Sequence, residues 1–171
     1  TGPPPPISPE HVCDPPTHII KAGTLPPKGI EIIELPRRDV NGTIKATRAY
    51  RIATNAPITA YQFNPLENVD VFSNDASLLM PTNTVGTKYY VMTREQTFED
   101  LKGYVTVVGV FDEPATVTLT VTAPTLAGED RTGEPPFSLI PALQPGESFT
   151  TTIHRFEVLN IETNYIGADL T

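Results

Sequence analysis

A chain of 171 residues is long enough for one domain with a sizeable core, because chains of this size bury roughly 70% of the surface exposed when unfolded. Its 20 acidic and 12 basic residues give a net charge of -8, which argues against a nucleic-acid partner, since that binding needs clustered Lys and Arg. No apolar run approaches the roughly 20 residues of a membrane helix, so we expect neither a membrane span nor a signal peptide here.

The first 28 residues are rich in proline, and we call them the N-terminal arm. Each proline fixes φ and removes an amide donor, so we expect no sheet pairing there. The arm contains His11, Cys13, Asp14 and His18, whose side chains are of types that zinc accepts. Their spacing matches no standard zinc finger, so the favoured interpretation is an exposed arm whose single cysteine has its partner elsewhere.

Residues 29–171 are predicted to form one β-sandwich domain. Segments with the composition or alternation of strands follow one another at 29–35, 43–53, 58–63, 88–93, 103–111, 115–123 and 148–162. A short helix is predicted only at 93–103. Many short strands, separated by turn residues such as Asn41-Gly42 and without a βαβ rhythm, indicate an all-β antiparallel β-sandwich, either jelly-roll or immunoglobulin-like.

Three of these segments carry sharper predictions. Residues 115–123 alternate strictly, so one face should pack on a core and a threonine ladder should face water. Residues 105–110 are apolar on both faces, which predicts a central strand. The apolar phase slips by one residue near His154-Arg155, which predicts a bulge or a change of sheet. The side chains expected in the core are Val105, Val107, Val117, Leu119, Val121, Ile52 and Phe63.

Groups that could perform catalysis are scarce in this sequence. It has three histidines, of which two lie in the arm. The motifs H-E-x-x-H, G-x-S-x-G, G-x-x-x-x-G-K-[ST] and G-x-G-x-x-G are absent from it. We therefore expect no enzyme activity and no cofactor, and calcium is the other metal to consider besides zinc.

The segment between the strands predicted at 58–63 and 88–93 concentrates oxygen-bearing side chains. Asn64-Pro65 should end the first strand, Ser73-Asn74-Asp75 should form a capped turn, and residues 76–80 should be a short buried segment. The predicted binding loop consists of Asn64, Glu67, Asn74 and Asp75. The candidate calcium ligands are Glu67, Asp70, Asn74 and Asp75, with a second group at Asp39 to Gly42. Capping of their own turns is the favoured interpretation of both groups.

Four stretches carry a family resemblance: "ELPRRDVNGT", "AYRIATNAPITAYQFNPLENVDVFSNDASLLMP", "YYVMTREQ" and "FEVLNIE...GADLT". They resemble the IgG Fc-binding protein N-terminal domain family. The resemblance runs from about Gly29 to Thr171 and implies a secreted bacterial member, cut from a fuller domain that begins upstream and continues downstream. It implies an extracellular, β-rich module used for binding or adhesion at the cell surface. It implies no catalytic residues, and Fc binding is not carried over with the family name.

The favoured function is thus a non-enzymatic extracellular binding or adhesion module of a larger secreted or surface protein. Its expected partner is a protein or a glycan, and flanking domains or neighbouring copies could associate with it. One alternative is a structural building block of a secreted fibre or surface layer. Another is a carbohydrate-binding module, for which Tyr61, Tyr89 and Tyr90 offer aromatic rings although tryptophan is absent.

Overall fold

The computed structural model describes residues 19–64, 75–94, 102–165 and 169–170. The chain divides into two units, Thr1–Asp39 and Val40–Thr171. The described part of the first unit contains a turn closed by a hydrogen bond of 2.8 Å from the Gly29 amide to the Pro26 carbonyl, and no strand. The prediction of a strand at 29–35 is therefore wrong. The isoleucines of this segment are exposed, and no described strand pairs with it. The predicted end of the arm at residue 28 stays a prediction.

The described part of the second unit is built from short strands. They are β1 (Ile44–Thr47), β2 (Tyr61–Asn64), β3 (Asp75–Leu78), β4 (Tyr104–Val108), β5 (Ala115–Thr120), β6 (Gly128–Asp130), β7 (Ser138–Ile140), β8 (Ser148–Ile153) and β9 (Glu157–Glu162). A single 3₁₀ turn, Thr82–Thr84, is the helical element of the described ranges. The predicted all-β class is confirmed. The helix predicted at 93–103 falls mainly on residues 95–101, which lie outside the described residues.

The strands form three sheets. The largest has the order β4-β9-β1-β6-β7, in which β1 and β6 are parallel and the other neighbours are antiparallel. The two smaller sheets are the antiparallel pairs β5-β8 and β2-β3. The architecture thus fits a sandwich-like fold, although one parallel pair makes the largest sheet mixed rather than purely antiparallel.

The hydrophobic core joins the five-stranded sheet to the β5-β8 sheet. Its buried members are Val105, Val121, Ala123, Ile140, Leu143, Ile153, Leu159, Ile161 and Leu170. Val107, Val117, Leu119 and Phe149 are partly buried against them. The expected burial of Val105 and Val121 is confirmed, and the strict alternation of β5 explains why Val117 and Leu119 point to the core.

The threonine ladder predicted for residues 115–123 is present. The hydroxyls of Thr118 and Thr150 lie 2.9 Å apart across the β5-β8 pair, and those of Thr120 and Ser148 lie 2.7 Å apart. These side chains are exposed, so the ladder occupies the water-facing side of the sheet. Cross-strand hydroxyl pairs of this kind stabilise antiparallel strands.

The phase slip near His154-Arg155 marks a change of sheet, as predicted. Before it β8 pairs with β5, and after it β9 pairs with β4 and β1. The reversal is a turn in which the Glu157 amide donates to the His154 carbonyl at 3.1 Å. Phe156 adopts a φ of 69° within it, a conformation uncommon for a residue with a side chain.

The prediction that residues 105–110 form a central strand is wrong. β4 lies at an edge of its sheet, and only Val105 of its residues is buried. The buried strand is instead β9, which lies between β4 and β1 and in which residues 157–161 are all buried. An apolar run indicates that its side chains are buried. It does not indicate whether the strand has one neighbouring strand in the sheet or two.

The burial predicted for Ile52 and Phe63 is also wrong, because both side chains are exposed. Among the described strands β2 pairs with β3 alone, so no second sheet covers Phe63. The expected buried segment at 76–80 is instead the exposed strand β3 and its continuation. Residues 88–93 form no strand.

Candidate functional site

The structure places the described part of the predicted binding loop at the end of the β2-β3 hairpin where the chain passes from one strand to the other. Asn64 and Asp75 are directly opposite each other in its register, and both are exposed. Asp75 Oδ1 accepts a hydrogen bond of 2.8 Å from the Ala76 amide, a local capping interaction. The remaining candidates Glu67, Asp70 and Asn74 lie outside the described residues.

The β2-β3 hairpin has two chemically different faces. Residues directly opposite in an antiparallel pair share a face, and neighbours along a strand alternate between faces. Tyr61 lies opposite Leu78, and Phe63 lies opposite Ala76. These four residues therefore form one face, which we call the apolar face. The residues of the other face are Gln62, Ser77, Asn64 and Asp75.

Both faces of this hairpin are open to solvent. Tyr61, Phe63 and Leu78 on the apolar face are each more than half exposed. Met80 follows Leu78 by two positions and is 67% exposed. A hydrogen bond of 2.9 Å from the Leu79 amide to the Ala60 carbonyl continues the pairing beyond the hairpin's regular strands. An amphipathic hairpin with its apolar side uncovered is the main surface feature that the sequence did not predict.

Two further tyrosines, considered above as a carbohydrate platform, are exposed but already engaged. The Tyr89 hydroxyl accepts a hydrogen bond of 2.6 Å from the Gly86 amide. The Lys88 ammonium lies over the Tyr90 ring, 5.3 Å from its centroid. Each interaction joins neighbours in sequence, so both shape the local loop.

Also missed from the sequence was a group of charges on the five-stranded sheet, in which Lys45 and Glu157 are buried and Asp130 is partly buried. Lys45 Nζ lies 2.9 Å from Asp130 Oδ2 and 3.5 Å from Glu157 Oε2. The side chain of Lys45 is only 7% exposed. Its partners are distant in the sequence and carry no motif, so only the strand register reveals the group. We call Lys45, Asp130 and Glu157 the buried triad.

Hydrogen bonds hold the carboxylates of the triad in place. Asp130 Oδ1 accepts from both the amide and the hydroxyl of Thr132, at 3.1 and 2.6 Å. Glu157 Oε2 accepts from the His154 amide at 2.8 Å. Burial works to raise the pKa of Asp130, but the hydrogen bonds from Thr132 and Lys45 outweigh it and lower that pKa below its usual value.

The described ranges contain neither a cluster of metal-binding side chains nor a membrane-spanning helix. In them no three His, Cys, Asp or Glu side chains gather closely enough to hold a metal ion. The zinc-type residues of the arm lie outside those ranges. No helix within the described parts of the chain is both long and apolar enough to cross a bilayer.

Comparison with known proteins adds one match. The family model described as IgGFc binding protein matches residues 75–171, which run from β3 through β9 to the end of the chain. No curated protein matches the chain, and no solved structure matches it. The family match agrees with the resemblance seen in the sequence and covers the strands that build the core. Because it spans more than half of the residues, the chain belongs to the IgGFc binding protein family.

Proposed function

We propose that this chain is a non-enzymatic extracellular module that binds a protein partner and serves adhesion within a larger secreted or surface protein. Two facts support the proposal. The family is a family of binding domains, and the apolar face of the β2-β3 hairpin offers a surface of the right chemistry.

The apolar face is the observation that carries the proposal. Scattered apolar side chains on a surface are ordinary, but a contiguous exposed group of them is typical of an interaction site. Tyr61 and Phe63 supply aromatic rings of the kind that dominate binding energy in protein interfaces. The polar residues Asn64 and Asp75 belong to the opposite face of the same hairpin, so the two faces differ sharply in chemistry.

The composition of this face favours a protein over a glycan. Leu78 and Met80 are aliphatic or thioether side chains, which fill pockets in protein surfaces. A glycan site would instead combine ring faces with polar groups that reach sugar hydroxyls, and the polar residues of the hairpin lie on its opposite face. A carbohydrate-binding module is therefore the second candidate.

The family description makes the Fc fragment of immunoglobulin G the first partner to test. The chain is immobilised, and binding of purified Fc is measured by surface plasmon resonance. The variants Phe63→Ser and Leu78→Ser change the apolar face. The matched controls Gln62→Ala and Ser77→Ala change the other face of the same strands. We expect the apolar-face variants to bind at least about tenfold more weakly, because interface anchors contribute more than roughly 1.4 kcal/mol, and the controls to bind like the wild type.

Three other results would change the proposal. Equal binding by all four variants would show that the apolar face is not the site. If Fc does not bind, but a mucin glycoprotein binds before and not after its glycans are removed, the carbohydrate alternative replaces the proposal. Reversible self-association in light scattering, abolished by Phe63→Ser, would favour a building block of a fibre or surface layer.

A further inference from the structure

The buried triad contains an amine on the core side of the five-stranded sheet. Lys45 lies opposite Leu159 in the β1-β9 pair, so the two side chains share a face. Leu159 is 1% exposed and belongs to the hydrophobic core. Lysine is almost never buried unless it is paired, so an ammonium at this position requires partners that offset the cost of burying its charge.

Both carboxylates of the triad share this face with the amine. Asp130 is the direct neighbour of Lys45 in the parallel β1-β6 pair. Glu157 precedes Leu159 by two positions on β9 and therefore points to the same side. The register thus brings one amine and two carboxylates together, at Nζ to oxygen distances of 2.9 and 3.5 Å.

The two oxygens of Asp130 have different surroundings. Oδ1 accepts both hydrogen bonds from Thr132, whereas Oδ2 faces the Lys45 ammonium. Two donors fixed on one carboxyl oxygen resemble the arrangement that stabilises the oxyanion of a tetrahedral intermediate. Oδ2 of Asp130 is then the oxygen that would leave when an amine attacks Cγ.

We propose that Lys45 and Asp130 condense into an intramolecular amide, with Glu157 carrying the protons. The carboxylate of Glu157 takes a proton from the Lys45 ammonium and delivers it to Asp130 Oδ2. The neutral amine then attacks Asp130 Cγ, and the electron pair of the carbonyl moves to Oδ1, where Thr132 stabilises it. A second proton passes from the nitrogen through Glu157 to Oδ2, and the C–Oδ2 bond breaks.

This step balances without an added reagent. The ammonium loses two protons, the carboxylate loses one oxygen, and one water molecule leaves. The positive charge of Lys45 and the negative charge of Asp130 disappear together, and Glu157 returns to its starting state. The local hydrogen bonds that lower the pKa of Asp130 keep its carboxyl ionised, so delivery of the proton by Glu157 is the decisive event.

The cross-link would serve a chain that has no internal disulfide. The single Cys13 cannot pair within the chain. An amide between β1 and β6 would close a loop between residues 85 positions apart. A covalent loop closure of that length removes conformational freedom from the unfolded chain, as a disulfide does.

Mass spectrometry of the full chain tests the proposal. The chain is expressed, incubated in the folded state, denatured, and its intact mass is measured. We expect a mass lower than that of the sequence by one water molecule, and a branched peptide joining Lys45 to Asp130 after proteolysis. Lys45→Met and Asp130→Ala should retain the full mass. Asp130→Asn should instead lose one ammonia molecule, because its amide nitrogen is then the leaving group.

The role of Glu157 is tested by a conservative variant. Glu157→Gln should fold, as judged by circular dichroism, but should form the cross-link about 100-fold more slowly, within the range for loss of a general acid–base group. Asp130→Asn keeps the test informative if other variants fold poorly. A folded wild type that keeps its full mass after prolonged incubation at neutral and mildly acidic pH would overturn the proposal and leave the triad as an ion pair.

Discussion

Asn160 shows how single polar side chains fix the arrangement of strands. It is 3% exposed on β9, and its amide nitrogen donates to the Gly42 carbonyl at 2.8 Å. Its amide oxygen accepts from the Thr106 hydroxyl at 2.6 Å. The Gly42 amide in turn donates to Glu162 at 2.8 Å. One buried side chain thus links the turn before β1 to β4, so its donor and acceptor are both satisfied.

Gly128 is required by a close approach of two backbones. A Cβ atom at this position would lie 1.7 Å from the Thr43 carbonyl oxygen, where β6 runs beside β1. We therefore expect Gly128→Ala to lower the free energy of unfolding by about 1–3 kcal/mol or more, the usual effect of overpacking. Urea denaturation measures this change. Gly133→Ala is the control, because nothing lies within 4 Å of its Cβ, and it should change stability little.

The capping hydrogen bond of Asp75 supports a second residue-scale prediction. Replacing Asp75 by Ala should lower the free energy of unfolding by about 1 kcal/mol, because the Ala76 amide loses its partner. The melting midpoint of the wild type should not respond to calcium if capping is the whole role. A midpoint that rises with calcium in the wild type, and not in Asp75→Ala, would instead establish the cation site that the sequence also allowed.

At the scale of elements, local patterns predicted side-chain orientation better than strand position. The strict alternation of residues 115–123 correctly predicted which side chains of β5 face water. The slip before Phe156 correctly predicted the passage from β8 to β9. The edge position of β4 was missed, because the number of neighbouring strands depends on distant parts of the chain.

Two strands were missed for a local reason. β6 is three residues long and reads Gly-Glu-Asp, and β7 is equally short and follows a pair of prolines. Neither strand is long enough to show a recognisable alternation of apolar and polar residues. The buried triad depends on β6 and could not be predicted without it. The apolar face of the hairpin was missed because β3 was expected to be buried.

The burial of β9 predicts a contrast between two leucines of the same sheet. Leu159 on β9 is 1% exposed, and Leu139 on β7 is 72% exposed. Leu159→Ala should lower the free energy of unfolding by about 2–5 kcal/mol, because it leaves a cavity in the core. Leu139→Ala should change it by less than about 0.5 kcal/mol. Similar losses in both variants, measured by thermal or urea unfolding, would contradict the assigned core.

At the scale of the whole molecule, the first 28 residues are predicted to be dispensable for stability. Prolines remove amide donors throughout this arm, so it should add little to the cooperative unit. Deleting residues 1–28 should leave the melting midpoint almost unchanged in calorimetry. A drop of many degrees would show that the arm is part of the cooperatively folded structure.

The central claim is that a protected β-core carries an uncovered hairpin as its binding surface. Hydrogen exchange of the free chain, followed by mass spectrometry, tests it most directly because exchange rates report how readily each segment opens. The amides of β9 should exchange at least about 100-fold more slowly than those of β2 and β3, since β9 is buried and pairs with β4 on one side and β1 on the other. Equal protection of the hairpin and β9 would contradict the claim, because the apolar face would then be covered in the free molecule.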